Sequence, residues 1–190
     1  MTNTVSFDRH KLEIFNWPEL MQSFGPLTQL CFGAGELPRT LKGEAFTLLS
    51  LASGCRHCQA HAGYGLHLQG ASTERIQALW DFERSSLFNE AERAVYYFAL
   101  AAGSSPNAVT PEHFAALRRH FTDRQITELL AVVAISGFLN RYSDTLAVVT
   151  DQESVDWASE FLGPVGWSTG KHIGDQSEQR PAFPHAVHKK

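Results

Sequence analysis

Apolar positions recur along most of the chain with the three-to-four-residue period of a helix, and no stretch convincingly keeps the period-two alternation of a strand. The segment PELMQSFGPL has helical spacing up to Gly25 and Pro26. Pro38 opens a second helix, PRTLKGEAFTLLSLAS, which Gly54 ends. Asn89, with Glu92 at the capping-box position, starts EAERAVYYFALAAG. Thr110 and Pro111 start PEHFAALRRHF, and Thr122 with Gln125 caps the long run ITELLAVVAISGFLNRYSDTLAVV. On that run Ile126, Leu129, Leu130, Val133, Phe138 and Leu139 share a face, and Val132 and Ile135 widen it. A helix apolar on most sides is expected at the centre of the fold. From about residue 150 comes a short helical piece, ESVDWASEFLG, then PVGWSTGKH. The stretch DQSEQRPAFPHAVHKK is polar and proline-containing. The pattern therefore predicts an all-α domain over 1–174 and a mobile tail over 175–190.

Composition narrows the class. A chain of 190 residues with 43% hydrophobic and 19% charged residues can bury one sizeable core. A net charge of -4 and a pI near 6.1 give no electrostatic argument for nucleic acid or an anionic membrane as partner. The N-terminus lacks the basic and apolar regions of a signal peptide, and no apolar run reaches the roughly 18 residues that span a bilayer. The expected compartment is the cytoplasm. There a CxxC pair points to catalysis or metal binding rather than a structural crosslink.

The chemistry concentrates in GCRHCQAHAGYG, residues 54–65, which holds two of the three cysteines. On a helix over 55–67, Cys55 and Cys58 fall one turn apart on one face, separated by roughly 60°. His57 and His61 share a bordering face as an i, i+4 pair. Cys55 sits near the helix N-terminus, where unpaired N–H groups and the helix dipole favour a thiolate. Three readings are open: buried thiols with surface histidines, a zinc site on Cys55, Cys58 and His61, and thiol redox chemistry. No local pattern supplies the zinc site with a fourth ligand, so no metal is expected, and nothing calls for a cofactor. A nucleophile, a resolving thiol and a base together favour the redox reading.

The stretch LPRTLKGEAFTLLSLASGCRHCQAHAGYGLHLQGAS resembles the core motif of the carboxymuconolactone decarboxylase / alkylhydroperoxidase D (AhpD-like) superfamily. AISGFLNRYSDTLAVV is similar to that superfamily's later helix with its Phe-x-Asn-Arg-x-x-Asp pattern, and GPVGWSTGKH to a tail of some members. The likeness runs from about residue 15 to 172. It implies an oligomer-forming all-helical domain and, in the peroxidase branch, a CxxC that reduces hydroperoxides and is re-reduced by a thiol partner. Cys55 and Cys58 match the redox pair, and His57 the histidine found between the cysteines in some members. The relay histidine of the family falls at Ala62, with His61 one residue early, and the relay glutamate at Gly43, beside Glu44. The resemblance makes Cys58 peroxidatic with His61 as proton carrier and Glu44 as its support, whereas the helix-terminus argument favours Cys55 as the more acidic thiol.

The expected function is a thiol-dependent peroxidase or disulfide reductase acting on a hydroperoxide or other small molecule, as a homo-oligomer with an unknown thiol reductant. The alternatives are a decarboxylase-like enzyme acting on a small lactone acid, which needs no CxxC, and a non-catalytic redox-sensing helical oligomer. Cys31 and the aromatic residues Trp80, Phe82 and 96–98 read as core. Arg141 and Asp144 read as an i, i+3 pair, and Lys171 and His172 as tail residues.

Overall fold

The computed structural model describes residues 13–174, and among them it is helical with no strand. The elements are α1 (Pro18–Phe32), α2 (Arg39–Ser53), α3 (Arg56–Leu68), α4 (Thr73–Ala78), α5 (Glu90–Gly103), α6 (Pro111–Arg118), α7 (Asp123–Leu146) and α8 (Gln152–Phe161). The tail expected over 175–190 lies outside the described residues. No helix among the described residues is long and apolar enough to cross a membrane.

The caps fall where the sequence places them. Asn89 and Glu92 close a capping box on α5, and Thr122 and Gln125 close one on α7. Two differences stand out. First, α1 does not stop at Gly25 and Pro26 but carries Pro26 inside it and continues to Phe32. Pro26 removes one backbone donor. The packing of α1 on α7, with Cys31, Val132 and Ile135 buried between Phe24 and Phe32, keeps the helix going. Second, the six-residue α4 has no counterpart in the sequence reading, being too short to show a period; Ser72 caps it by accepting from Arg75 N–H.

The centre of the fold is α2 rather than α7. Helices α3, α5 and α7 all pack on α2, and Ala45, Leu48 and Leu49 are buried between them. Gly103 of α5 lets the two backbones approach: a Cβ there would lie 2.6 Å from the Leu49 carbonyl oxygen. On α7, Ile126, Leu129, Val132, Val133 and Ile135 are buried, but Leu130 and Phe138 are each 40% exposed. Its long apolar run therefore serves two purposes, one side packing inward and a strip staying uncovered.

Charge inside the core is paired. Lys42 is fully buried, forms an ion pair with Glu128 and donates to the Gly33 carbonyl at 2.9 Å. Burial costs an unpaired charge several kcal/mol, so such a lysine persists only with these partners.

Two features position the site. Gly54 ends α2 with φ of 76°, a left-handed conformation that suits glycine, and α3 begins at Arg56. After α8 the chain passes through 3-10 turns at Gly163–Val165 and Gly170–His172 and comes back over the start of α3. Trp167 Nε1 donates to the Arg56 carbonyl at 3.0 Å, and Thr150 N–H donates to the His172 carbonyl at 3.1 Å.

Candidate active site

Cys55 is the N-cap of α3, and its sulfur accepts the Cys58 backbone N–H at 3.3 Å. One turn on, Cys58 brings its Sγ to 2.9 Å from that of Cys55, in hydrogen-bond contact, with both thiols free of a disulfide. The sulfurs meet because the sequence spaces them by one helical turn and Gly54 starts the helix at the right residue. Both are buried.

Their environments differ. The hydrogen bond from Cys58 does most to lower the Cys55 pKa; burial opposes it, and His172 and the Cys58 N–H add to the lowering, to about 6. For Cys58 the same contact works the other way: the bond to Cys55, burial and the charge on Cys55 hold its thiol well above the ordinary range. The two shifts run in opposite directions and favour a shared proton on Cys58 over Cys55.

The sequence reading treated His172 as a tail residue, yet it is buried against Cys55. Its Nδ1 lies 2.8 Å from the Val148 carbonyl and its Nε2 lies 3.4 Å from Asp144 Oδ1. Burial disfavours the imidazolium, but Cys55, the Val148 carbonyl and Asp144 together outweigh it and raise the His172 pKa. Asp144 also holds Lys171 at 2.7 Å, so its partners are these two tail residues and not Arg141, which is exposed.

The other predicted residues separate into two groups. His57 and His61 pack with their rings 4.2 Å apart, and His57 is 5.7 Å from the His172 ring. His57 Nδ1 contacts Thr150 Oγ1 at 3.1 Å, and burial, then His61 and His172, depress its pKa well below the usual histidine value. His61 Nδ1 contacts the His57 carbonyl at 3.1 Å, and its Nε2 pairs with Asp151 at 2.6 Å. Burial raises the Asp151 pKa, but His61 and Ser154 outweigh it and hold the carboxyl well below its ordinary range.

Glu44 belongs to a different site. Arg75 holds its two carboxylate oxygens at 2.6 and 3.2 Å, and Tyr96 O–H donates to it at 2.7 Å. The carboxylate that supports His61 is Asp151, so the expected partnership of Glu44 with His61 is corrected. A one-residue shift from Gly43, whose added Cβ would meet Leu66 of α3, turns position 44 toward α4 and α5.

The tertiary structure also supplies donors that no local pattern showed. Ligating atoms of Cys55, Asp144 and His172 lie within 4.8 Å of one another, with Cys58 beside them. Among the described residues, Cys55, Asp144 and His172 form a group of three that could hold a soft divalent ion. Nearby, Asn140 Nδ2 donates to Ser50 Oγ at 3.0 Å, and Gln59 Nε2 donates to the Ser50 carbonyl at 3.1 Å, tying α7 and α3 to α2. A largely apolar cavity of about 140 Å³ adjoins His57 and Ser143.

No known family profile matches the chain. The uncharacterized protein YnjA of Escherichia coli is 24% identical over 94 residues, and the match spans 52% of its length, about half, and 50% of this chain. Among solved structures, the debrominase Bmp8 in complex with 2,3,4-tribromopyrrole is similar at a TM-score of 0.74 and 28% identity, covering 78% of this chain and 79% of that one. Its apo form gives 0.73 and 29%, covering 77% and 79%. An uncharacterized peroxidase-related protein from Ralstonia eutropha, an alkylhydroperoxidase AhpD core, gives 0.66 and 22%, covering 77% and 78%.

Proposed function

We propose that the chain, whose helical fold is similar to that of AhpD-like proteins, is a dithiol oxidoreductase in which Cys55 and Cys58 reduce a small hydroperoxide. The observation that carries this reading is the pair itself: two buried sulfurs 2.9 Å apart, in surroundings that lower the Cys55 pKa and raise that of Cys58. A lactone decarboxylase has no use for such a pair.

In the proposed reaction the Cys55 thiolate attacks the outer peroxide oxygen. The O–O bond breaks, leaving a sulfenic acid on Cys55 and an alkoxide that takes a proton from the His172 imidazolium. Cys58 then attacks the Cys55 sulfur, its proton leaves with the hydroxide as water, and the disulfide forms. One dithiol and one hydroperoxide thus yield one disulfide, one alcohol and one water. An external dithiol returns the pair to its reduced state. This assignment places the attack on Cys55, reversing the roles that the family resemblance implies. It rests on the thiolate being the stronger nucleophile.

Turnover of an organic hydroperoxide with a dithiol reductant tests the reading. Cys55→Ser and Cys58→Ser are each expected to abolish it, and only Cys58→Ser should accumulate a sulfenic acid. Full turnover by the double variant contradicts it.

A second reading has its own support in Bmp8, 28% identical and named for debromination. The same dithiol can reduce a brominated ring: two thiols and an aryl bromide yield a disulfide, the hydrogen-bearing ring and hydrogen bromide. Bromide release separates this substrate from hydroperoxides.

Self-association is part of the proposal. Leu27 and Leu30 of α1 and Leu130 and Phe138 of α7 are exposed apolar side chains on two helices that pack together. A closed symmetric oligomer covers such a strip. Light scattering is expected to give at least a dimer mass at micromolar concentration.

A further inference from the structure

We infer that the cavity lined by His57 and Ser143 is a substrate pocket for a single, largely apolar aromatic ring. The inference rests on the dithiol reading for the chemistry but on the cavity alone for the ligand class.

Size is the first argument. The cavity measures about 140 Å³. An apolar cavity of about 150 Å³ in another protein takes up one benzene ring and stays dry without it. The space is of the size that takes one six-membered or five-membered ring.

The lining is the second. Phe24, Phe138 and Tyr142 present three aromatic side chains, with Phe24 and Phe138 tilted at 4.8 Å and Phe138 and Tyr142 nearly parallel at 6.1 Å. Rings prefer tilted or offset contact with other rings, so such a lining favours an aromatic occupant. Leu139 completes the apolar wall.

The third argument is where the polar wall sits. Glu13, His57 and Ser143 supply the polar part of the lining. Ser143 hydrogen-bonds Cys58, so it is the link between the cavity and the thiol pair. A ring in the pocket can therefore present a substituent on the Ser143 side, toward Cys58. An acceptor group on that substituent, whether a peroxide oxygen or a halogen, is carried by the same ring, so the pocket selects the carrier and the thiols act on the group.

Binding of toluene to the Cys55→Ser/Cys58→Ser protein tests the pocket without redox chemistry, using saturation-transfer NMR. Toluene is expected to receive saturation, and naphthalene to displace it poorly. Leu139→Trp, which fills the cavity, is expected to weaken toluene binding at least 10-fold, the scale on which a pocket discriminates by size. If circular dichroism shows that variant unfolded, Met21→Trp fills the same cavity from α1. A second arm compares an aryl hydroperoxide with hydrogen peroxide in the wild-type protein, where the aryl substrate is expected to turn over faster. No saturation of toluene, or undiminished binding in a folded filled variant, overturns the pocket even if hydroperoxides are reduced. Toluene binding with no reduction of any hydroperoxide leaves the pocket standing and removes the dithiol reading instead.

Discussion

At Cys55 three groups converge on one sulfur: the Cys58 thiol, the Cys58 N–H and His172. Hydrogen bonds to the charged form of an acid lower its pKa, and here they outweigh the cost of burial. The ultraviolet thiolate absorbance of the reduced protein is therefore expected to rise with pH through a midpoint near 6, not near the ordinary thiol value of 9.0. Below that midpoint the resting thiolate is lost and turnover falls with it. His172→Gln removes the cation beside the sulfur. It should move the midpoint upward and slow turnover at neutral pH by about 10²-fold, the lower end for a lost acid–base group. An unmoved midpoint would assign the imidazole a packing role only. Glu44→Gln is expected to do the reverse. It breaks a buried pair with Arg75 and costs about 3 kcal/mol in denaturant unfolding, while the thiolate midpoint stays in place.

At the scale of elements, the site is a helix start clamped by a returning tail. The α2–Gly54–α3 connection sets the sulfurs, and the turns after α8 set His172. Trp167 fastens that tail: it is buried, and its indole donates to the Arg56 carbonyl in the first turn of α3. Trp167→Ala is expected to cost about 3–5 kcal/mol and to raise the Cys55 midpoint together with it, read by thermal melting and thiolate titration on the same sample. The helices and the thiol pair were legible because their signals are local: capping residues beside apolar periods, and cysteines one turn apart after a glycine. The roles of Asp144 and His172 were not. They end the two later motifs, FLNRYSD and GPVGWSTGKH, but their proximity to Cys55 joins residues far apart in the chain, and neither motif says which partner its last residue meets. Glu44 misled for a related reason. Its proximity in sequence to the expected relay position says little on a helix, where one residue is about 100° of rotation. The central place given to α7 failed because an apolar run measures how much surface needs cover, not which neighbour covers it; Leu130 and Phe138 remain exposed.

The whole molecule joins a helical frame, a buried thiol pair and a small cavity linked to it through Ser143. Because the proposed chemistry passes electrons through sulfur alone, dialysis against a strong chelator is expected to leave hydroperoxide turnover unchanged. Zinc added back should inhibit by occupying Cys55, Asp144 and His172. The third cysteine offers an internal control. Cys31 is buried between α1 and α7, and burial raises its pKa, so it should take no part. The most direct measurement is the free-thiol count of the reduced protein before and after one equivalent of an organic hydroperoxide, with the crosslink mapped by mass spectrometry. The account predicts the loss of two thiols, a Cys55–Cys58 disulfide and an intact Cys31. An unchanged count, or a crosslink that includes Cys31, would contradict it.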